Sequence, residues 1–317
     1  MMTLLPATLA KPIMQDGEVI AQIVLDLTVY LPSTSVAQLA YLVDWYKRIC
    51  PPDRWVRYAI AETLGWDDVR QPNLTRQGDA AAMAGEPMPF LAPVRTRIQA
   101  GRPFDVLFWD GRETDVYTFS LRQIRNEKRE LHAFLRVTVP PATDPLVLIE
   151  AARDLADRIE FLSGHGGFAF GYRPKKKFDA FSKIYPLARR YWGIDVEDLN
   201  GTLPLMKNAI KSPNWLTMIG AGLAQSEAVA KAVQLPQAHP LVKVERRANG
   251  MLLRVGDAPV VGDRHRPTPE LDAMTALGTA LAPLIVRDHP SFSGDGFIDH
   301  DNTNAWFHRF DDPDGWS

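Results

Sequence analysis

The stretch VIAQIVLDLTVYL, residues 19–31, places Val19, Ala21, Ile23, Leu25, Leu27, Val29 and Leu31 at every second position. Apolar side chains at period two project from one face of an extended chain, so the stretch reads as a long β-strand with a core side. Ser33 or Thr34 then stands where a helix N-cap is needed, and Leu39, Leu42, Val43, Tyr46 and Ile49 recur at helical spacing until Pro51-Pro52 stops them. A second helix is predicted over residues 90–100, with Pro93 in its first turn and Gly101 as terminator. Residues 104–109 and 116–122 read as strands around a turn containing Asp110-Gly111, and residues 131–139 as a further strand ended by Pro140-Pro141. Strands that arrive in hairpins as well as across helices favour an α+β fold. Its sheet should be mixed and largely antiparallel with helices packed on it, rather than doubly wound and parallel.

Beyond that point Asp144-Pro145 supplies a cap and an N1 proline for a helix running to about Leu162. A strand is expected over 168–172, a helix with an apolar stripe over 178–192, and another helix over 216–233. Residues 242–247 and 252–255 flank Asn249-Gly250, the best hairpin signal in the chain, and a last helix covers 271–284. The segment 140–144 separates a 1–140 α/β lobe from a 141–317 α/β lobe. The two are read as tightly associated around a shared core, forming one integrated domain.

Bulk properties narrow the function. The chain has 317 residues, 46% hydrophobic and 23% charged, enough for a large core. Its formal charge of −2 gives no basic face for phosphate neutralisation, which argues against a general nucleic-acid binder. Cys50 is the single cysteine, so neither an internal disulfide nor a Cys-ligated zinc site is available. The N-terminus lacks a basic segment ahead of its short apolar run, and no apolar run reaches the ~18–20 residues that span a bilayer. A soluble cytoplasmic protein is expected.

Candidate chemistry is sparse. Asp195, Glu197 and Asp198 gather three carboxylates in four residues. They suit acid–base or metal chemistry, but without a partner base or nucleophile the plainer account is capping and charge at a helix start. Asp263 with His265, and His300 between Asp299 and Asp301, offer metal-ligand atom types. Neither shows a helical ligand spacing such as HExxH, so both read first as surface or structural residues. Lys175, Lys176 and Lys177 read as a solvated loop. Gly164-His165-Gly166-Gly167 lacks the spacing of a phosphate loop and reads as a turn. No catalytic residue, cofactor or metal site is assigned. The tail after Pro290 carries Asp295, Asp299, Asp301, Asp311 and Asp312 among aromatics that include Trp306. An acidic surface with aromatic anchors suits a basic DNA-binding cleft, because it mimics phosphate charge; the plainer account is a solvated tail with packing aromatics.

Residues 191–199 (YWGIDVEDL) and 210–217 (IKSPNWLT), then 253–259 (LRVGDAP) with Gly262-Asp263, and finally 306–310 (WFHRF) carry a resemblance. Together they resemble the type VI secretion immunity proteins associated with VRR-Nuc nuclease effectors. The resemblance covers most of the chain, and in the N-terminal part extends only to the strand from Val19 and the helix to Tyr46. It implies a non-enzymatic protein that binds a cognate effector toxin of the VRR-Nuc nuclease type, with no direct nucleic acid, membrane or cofactor. It leaves the oligomeric state open. Under it, Gly193, Asp195, Asp198, Asn214, Trp215, Gly256, Gly262 and Asp263 form a structural signature, with Asn214 capping a second helix, Trp215 filling the core, and Gly256 and Gly262 permitting turns. The alternatives are a metal-dependent hydrolase using 263–265 with 299–301, and an adaptor in a secretion locus.

Overall fold

The computed structural model describes residues 5–61, 74–79, 91–110, 116–126 and 128–316. The predicted Gly111 turn and the start of the helix read at residue 90 lie outside them. The long alternating stretch is the centre of the molecule. Strand β1 (Ile13–Gln15) turns through Asp16 and Gly17, both at positive φ (51° and 79°), into β2 (Glu18–Leu31). Two consecutive positive φ values make the tight turn that suits the twist of a hairpin, and Asp-Gly is the sequence that tolerates it. β2 pairs antiparallel on one side with β7 (Leu131–Val139), from Leu25↔Val139 to Leu31↔Ala133. On the other side it pairs with β8 (Ser163–Tyr172), from Ala21↔Tyr172 to Tyr30↔Ser163.

The remaining strands extend this centre outwards. They are β3 (Arg57–Ala61), β4 (Leu74–Asp79), β5 (Phe104–Trp109) and β6 (Thr118–Arg125), then β9 (Ile194–Asp195), β10 (Leu216–Gly220), β11 (Val242–Arg247) and β12 (Gly250–Val255). Among the described residues one twelve-stranded sheet runs in the order β11-β12-β10-β8-β2-β7-β6-β5-β3-β4, with β1 on β2 and β9 on β8. Of these strands β9 alone pairs in parallel. The sheet is continuous across residue 140, and its buried apolar residues form one cluster.

The two faces of the sheet differ in chemistry. On one, Leu27, Val137 and Val139 meet Trp45 and Ile49 of helix α1 (Val36–Ile49) and Leu148 of α3 (Pro145–Arg158). Tyr46 of α1 lies against the rings of Phe108 and Phe119. Burying each such side chain contributes roughly 1.5–3 kcal/mol, which is what holds these helices down. α1 starts at Ser35, one residue past the predicted caps, because Ser35 and Gln38 form a reciprocal capping box. Thr34 instead gives its N–H to Gln123 at 2.9 Å. α2 (Ala92–Gln99) follows, and α3 begins at Asp144-Pro145 as the sequence predicts, with Asp144 accepting from the Leu146 N–H at 3.0 Å.

The other face carries the intervening residues of the same strands, among them Asp26 and Thr28 of β2, Arg136 of β7 and His165 of β8. In the strand register Arg136 stands opposite Thr28, and Thr28 opposite His165. Helix α4 (Lys177–Arg190), the short α5 (Leu199–Thr202) and the closing segment cover the β8 side of this face. Helix α7 (Pro269–Leu281) precedes the tail, and Phe292, Phe297, Trp306, Phe307, Phe310 and Trp316 are all buried, so the aromatic tail packs onto the body around α8 (His300–Phe307).

Two local expectations are corrected. Gly164-His165-Gly166-Gly167 is not a turn but the first half of β8. The glycines serve close packing: a Cβ on Gly164 would lie 2.7 Å from the Thr28 carbonyl oxygen, so β2 can approach only a bare backbone. Residues 216–233 are not one helix either. They are β10, a turn, and then α6 (Glu227–Gln234), capped by Ser226. Leu216–Gly220 is wholly buried between β8 and β12, and tertiary burial overrides the helical reading of an apolar run. Asn214 therefore caps no helix; its Oδ1 accepts the Trp215 N–H at 2.7 Å.

Candidate functional site

Four chain segments converge beneath the β8 side of the polar face. β8 presents His165, and β9 lies parallel to it, bringing Asp195 and then Glu197 underneath. The segment after Ala209 is pinned by the Ile210–Ile285 bridge and delivers Lys211. The chain just past α8 delivers Arg309. His165 Nε2 lies 2.7 Å from Glu197 Oε1 and 3.1 Å from Asp195 Oδ2. Lys211 Nζ donates to Asp195 Oδ2 and to the Val196 carbonyl, each at 2.7 Å, and also to Glu197 Oε1. Arg309 donates to the Trp192 and Trp306 carbonyls at 2.9 Å, and its guanidinium lies 4.2 Å and the Lys211 ammonium 5.2 Å from the centroid of the Trp306 ring. None of these five charged residues is more than 2% exposed.

At neutral pH His165, Lys211 and Arg309 set three positive charges against the two carboxylates of Asp195 and Glu197. Burial opposes the imidazolium form of His165, yet the Glu197 and Asp195 carboxylates outweigh it and push its pKa up to about 9. Burial would raise Asp195, but Lys211 and His165 hold its carboxyl well below the usual range. Glu197 goes the other way, raised by burial. Burial also lowers Arg309, to about 10. Among the described residues His165, Asp195 and Glu197 form the one group of three whose ligand-type atoms lie within 4.8 Å of one another. The Lys211 ammonium already stands between those carboxylates and supplies the positive charge that a cation would. The cluster thus ties β8, β9, the 209–214 segment and the tail together.

Next to it, the uncovered part of the polar face over β5, β6 and β7 forms a groove of about 1440 Å³. Its floor holds Arg122, Arg136 and Ser120, and one wall comes from residues 198–208. Lys177 bridges that wall to α4 through Asp198 at 2.5 Å, and Arg122 reaches Asn200 Oδ1 at 2.6 Å. Glu197 links cluster and groove: it lines the groove while its Oε1 belongs to the buried network.

The residues singled out in the sequence scatter around these features. Asp195 is in the cluster and Asp198 on its edge. Gly193 and Gly262 pack backbone to backbone, with Trp192 N–H on the Gly262 carbonyl at 2.9 Å and Gly262 at φ +62°. Asp263 is held by Arg190 at 2.8 Å rather than aimed at a metal. Gly256 makes a turn at φ +72°, and Trp215 is buried. The pairs at 263–265 and 299–301 do not come together as a ligand group among the described residues. Asp295, Asp299, Asp301 and Asp312 are exposed, whereas Asp311 faces His308 at 3.0 Å. Trp306 is wholly buried, so in this chain it shapes the core and presents no surface as an anchor. Sequence reasoning passed over His165, Lys211 and Arg309, and the groove arginines Arg122 and Arg136. A lysine between Ile210 and the Pro213-Asn214-Trp215 run was the one available signal.

The architecture is an α+β protein built on one antiparallel sheet. Residues 110–310 match the model of the family described as Type VI immunity for VRR-NUC (TsiV). This is well over half of the chain, and the protein belongs to that family of type VI secretion immunity proteins. Among solved structures, the Pseudomonas aeruginosa T6SS protein PA0821 is similar with a TM-score of 0.69 at 18% identity, over 96% of this chain and 90% of that one. The likeness is one of fold. No curated protein matches the chain. No helix among the described residues is long and apolar enough to cross a membrane.

Proposed function

We propose that this protein binds a cognate VRR-Nuc-type nuclease effector in the cytoplasm and neutralises it by covering its active site or its DNA-binding surface, without itself catalysing a reaction. The observation that carries the reading is the family match over residues 110–310. Two features of the chain support it. The buried ionic cluster is internally hydrogen-bonded and ties four chain segments together, which suits a rigid scaffold. The tail leaves Asp295, Asp299 and Asp301 exposed beside Ile298, which is 62% exposed, and the backbone of Asp295 is fixed to Ser182 of α4 at 2.8 Å. A rigid acidic face with an apolar contact is complementary to a basic nucleic-acid cleft. The test is co-expression with the nuclease-like effector encoded beside the gene. Recovery of growth together with co-purification of the two chains supports the reading; continued toxicity with no complex rejects it for that pair.

A further inference from the structure

The groove and the acidic tail have opposite character. Six lysines and arginines line the groove against four carboxylates, with Asp26 paired to Arg136 and Glu18 to Arg173 as further partners, in a chain whose overall charge is −2. The floor is unusual in its hydrogen bonding. Arg122, 6% exposed, donates through Nη1 to Asn200, while its Nε and Nη2 make no hydrogen bond. Asp105 Oδ2 stands 3.5 Å from Nε, close enough to screen the charge but too far for a good hydrogen bond. Arg136 is bound to Asp26 through Nε and likewise leaves Nη2 without a partner. Ser120 lies opposite Arg136 in the β6–β7 register, and Arg122 follows two residues later on the same face. The two arginines are therefore diagonal neighbours on one face of the sheet, within reach of a single extended guest. Buried donors without acceptors destabilise the free protein, and an incoming acceptor relieves that cost.

We infer that the groove is the seat of an acidic peptide segment of the effector, with one carboxylate held by the Nε–Nη2 edge of Arg122 and neighbouring acceptors taken by Arg136. The inference rests on the immunity reading and adds the chemistry of the partner. Three observations select a peptide. The Nε–Nη2 edge presents two parallel donors, the geometry that a carboxylate accepts bidentately. The volume exceeds the ~300–1000 Å³ usual for a small-molecule pocket. Phe134, Tyr172, Pro174, Leu205 and Pro290 interrupt the polar lining with apolar contact surface. A nucleic acid fits less well, because the unpartnered donors stand at two points of the floor and form no continuous basic track for a line of phosphates.

The test uses the full chain and the effector encoded beside it, with affinity measured by calorimetry at low and at physiological salt. Ser120→Glu places a competing carboxylate beside both arginines, Ser120→Gln controls for bulk, and Arg122→Gln removes the fork. Lys207→Glu changes the charge on the exposed rim, so that one variant leaves the floor intact. Thermal melts confirm that each variant is folded. Ser120→Glu and Arg122→Gln should each weaken binding at least tenfold and flatten its salt dependence, Lys207→Glu should weaken it by a smaller factor, and Ser120→Gln should change it by less than threefold. Wild-type affinity and protection in the Ser120→Glu, Arg122→Gln and Lys207→Glu variants would overturn the groove assignment while leaving the immunity reading standing. A wild-type chain that neither binds nor protects removes both. Binding of a DNA duplex to the free chain that Ser120→Glu abolishes would also overturn it, in favour of a nucleic-acid groove.

Discussion

Lys211 and Asp195 meet at 2.7 Å with side chains only 1% and 3% exposed, and this contact joins a segment near the tail to the strand pair at the centre of the sheet. Such a pair carries a desolvation penalty, because both charges have left water. It persists because His165, Glu197 and the Val196 carbonyl satisfy the same groups. The cluster therefore reads as a fixed joint between β8, β9 and the C-terminal segment.

Removing the ammonium while keeping its stem should expose that balance. Lys211→Met leaves two buried carboxylates facing one imidazole, and breaking a buried pair from one side costs about 3–5 kcal/mol. Urea unfolding should show a loss of that order, with part of it recovered when Glu197→Gln is added. A loss of under ~1 kcal/mol would mean that the cluster is not a stabilising joint.

The cluster also fixes a dependence on pH. His165 is pushed up to about 9 in the folded chain, against about 6.5 when unfolded. Its contribution is fully present below pH ~6.5 and is lost as pH rises through about 9, on the order of 3 kcal/mol. Asp195 acts on the acid flank: held below the usual carboxylate range, it contributes above about pH 4 and fades as pH falls, with Glu197 opposing it because burial raises its carboxyl. Unfolding free energies measured from pH 6 to about 10 should decline in the wild type, and His165→Gln should flatten that decline.

Two signature glycines should behave differently. A Cβ on Gly193 would run into the Val260 carbonyl and the Gly262 backbone, which cannot yield locally. Gly256 stands at φ +72° with its nearest neighbour, Glu270 Cγ, 3.5 Å away, so alanine there meets only the conformational penalty. Gly256→Ala should cost about 1 kcal/mol and Gly193→Ala distinctly more, read as shifts of the thermal midpoint.

The tail separates stability from binding. Trp306→Ala removes a wholly buried indole stacked on Arg309 and should cost about 3–5 kcal/mol. Asp295→Lys with Asp301→Lys, both exposed, should leave the melting temperature within a few degrees while weakening effector binding, Asp299 being kept because its side chain caps α8. Unchanged affinity in that double variant would remove the tail face from the interface.

Much of the frame was legible because it obeys local rules. The period-two run of β2, the Asp144-Pro145 start of α3, the strand at 131–139 and the Asn249-Gly250 hairpin each carry their own signal. The site was not legible, for two physical reasons. Its charges come from positions 165, 195, 197, 211 and 309, and no local pattern records that β8 and β9 will bring them together. The glycines around His165 look like a turn, and only the approach of the Thr28 carbonyl explains them as strand. Leu216–Gly220 failed similarly: a short, mostly apolar run fits a helix or a buried strand equally, and its place between β8 and β12 decides.

The central claim is inhibition by stoichiometric binding. It is tested most directly by titrating the purified effector nuclease with this chain and following DNA cleavage. Stoichiometric inhibition gives a linear fall to no activity at one chain per effector, with the effector recovered intact when the complex is dissociated. Full nuclease activity in the presence of excess chain would contradict it. So would inactivation by far less than one equivalent, since that would mark turnover and make the protein an enzyme acting on the effector.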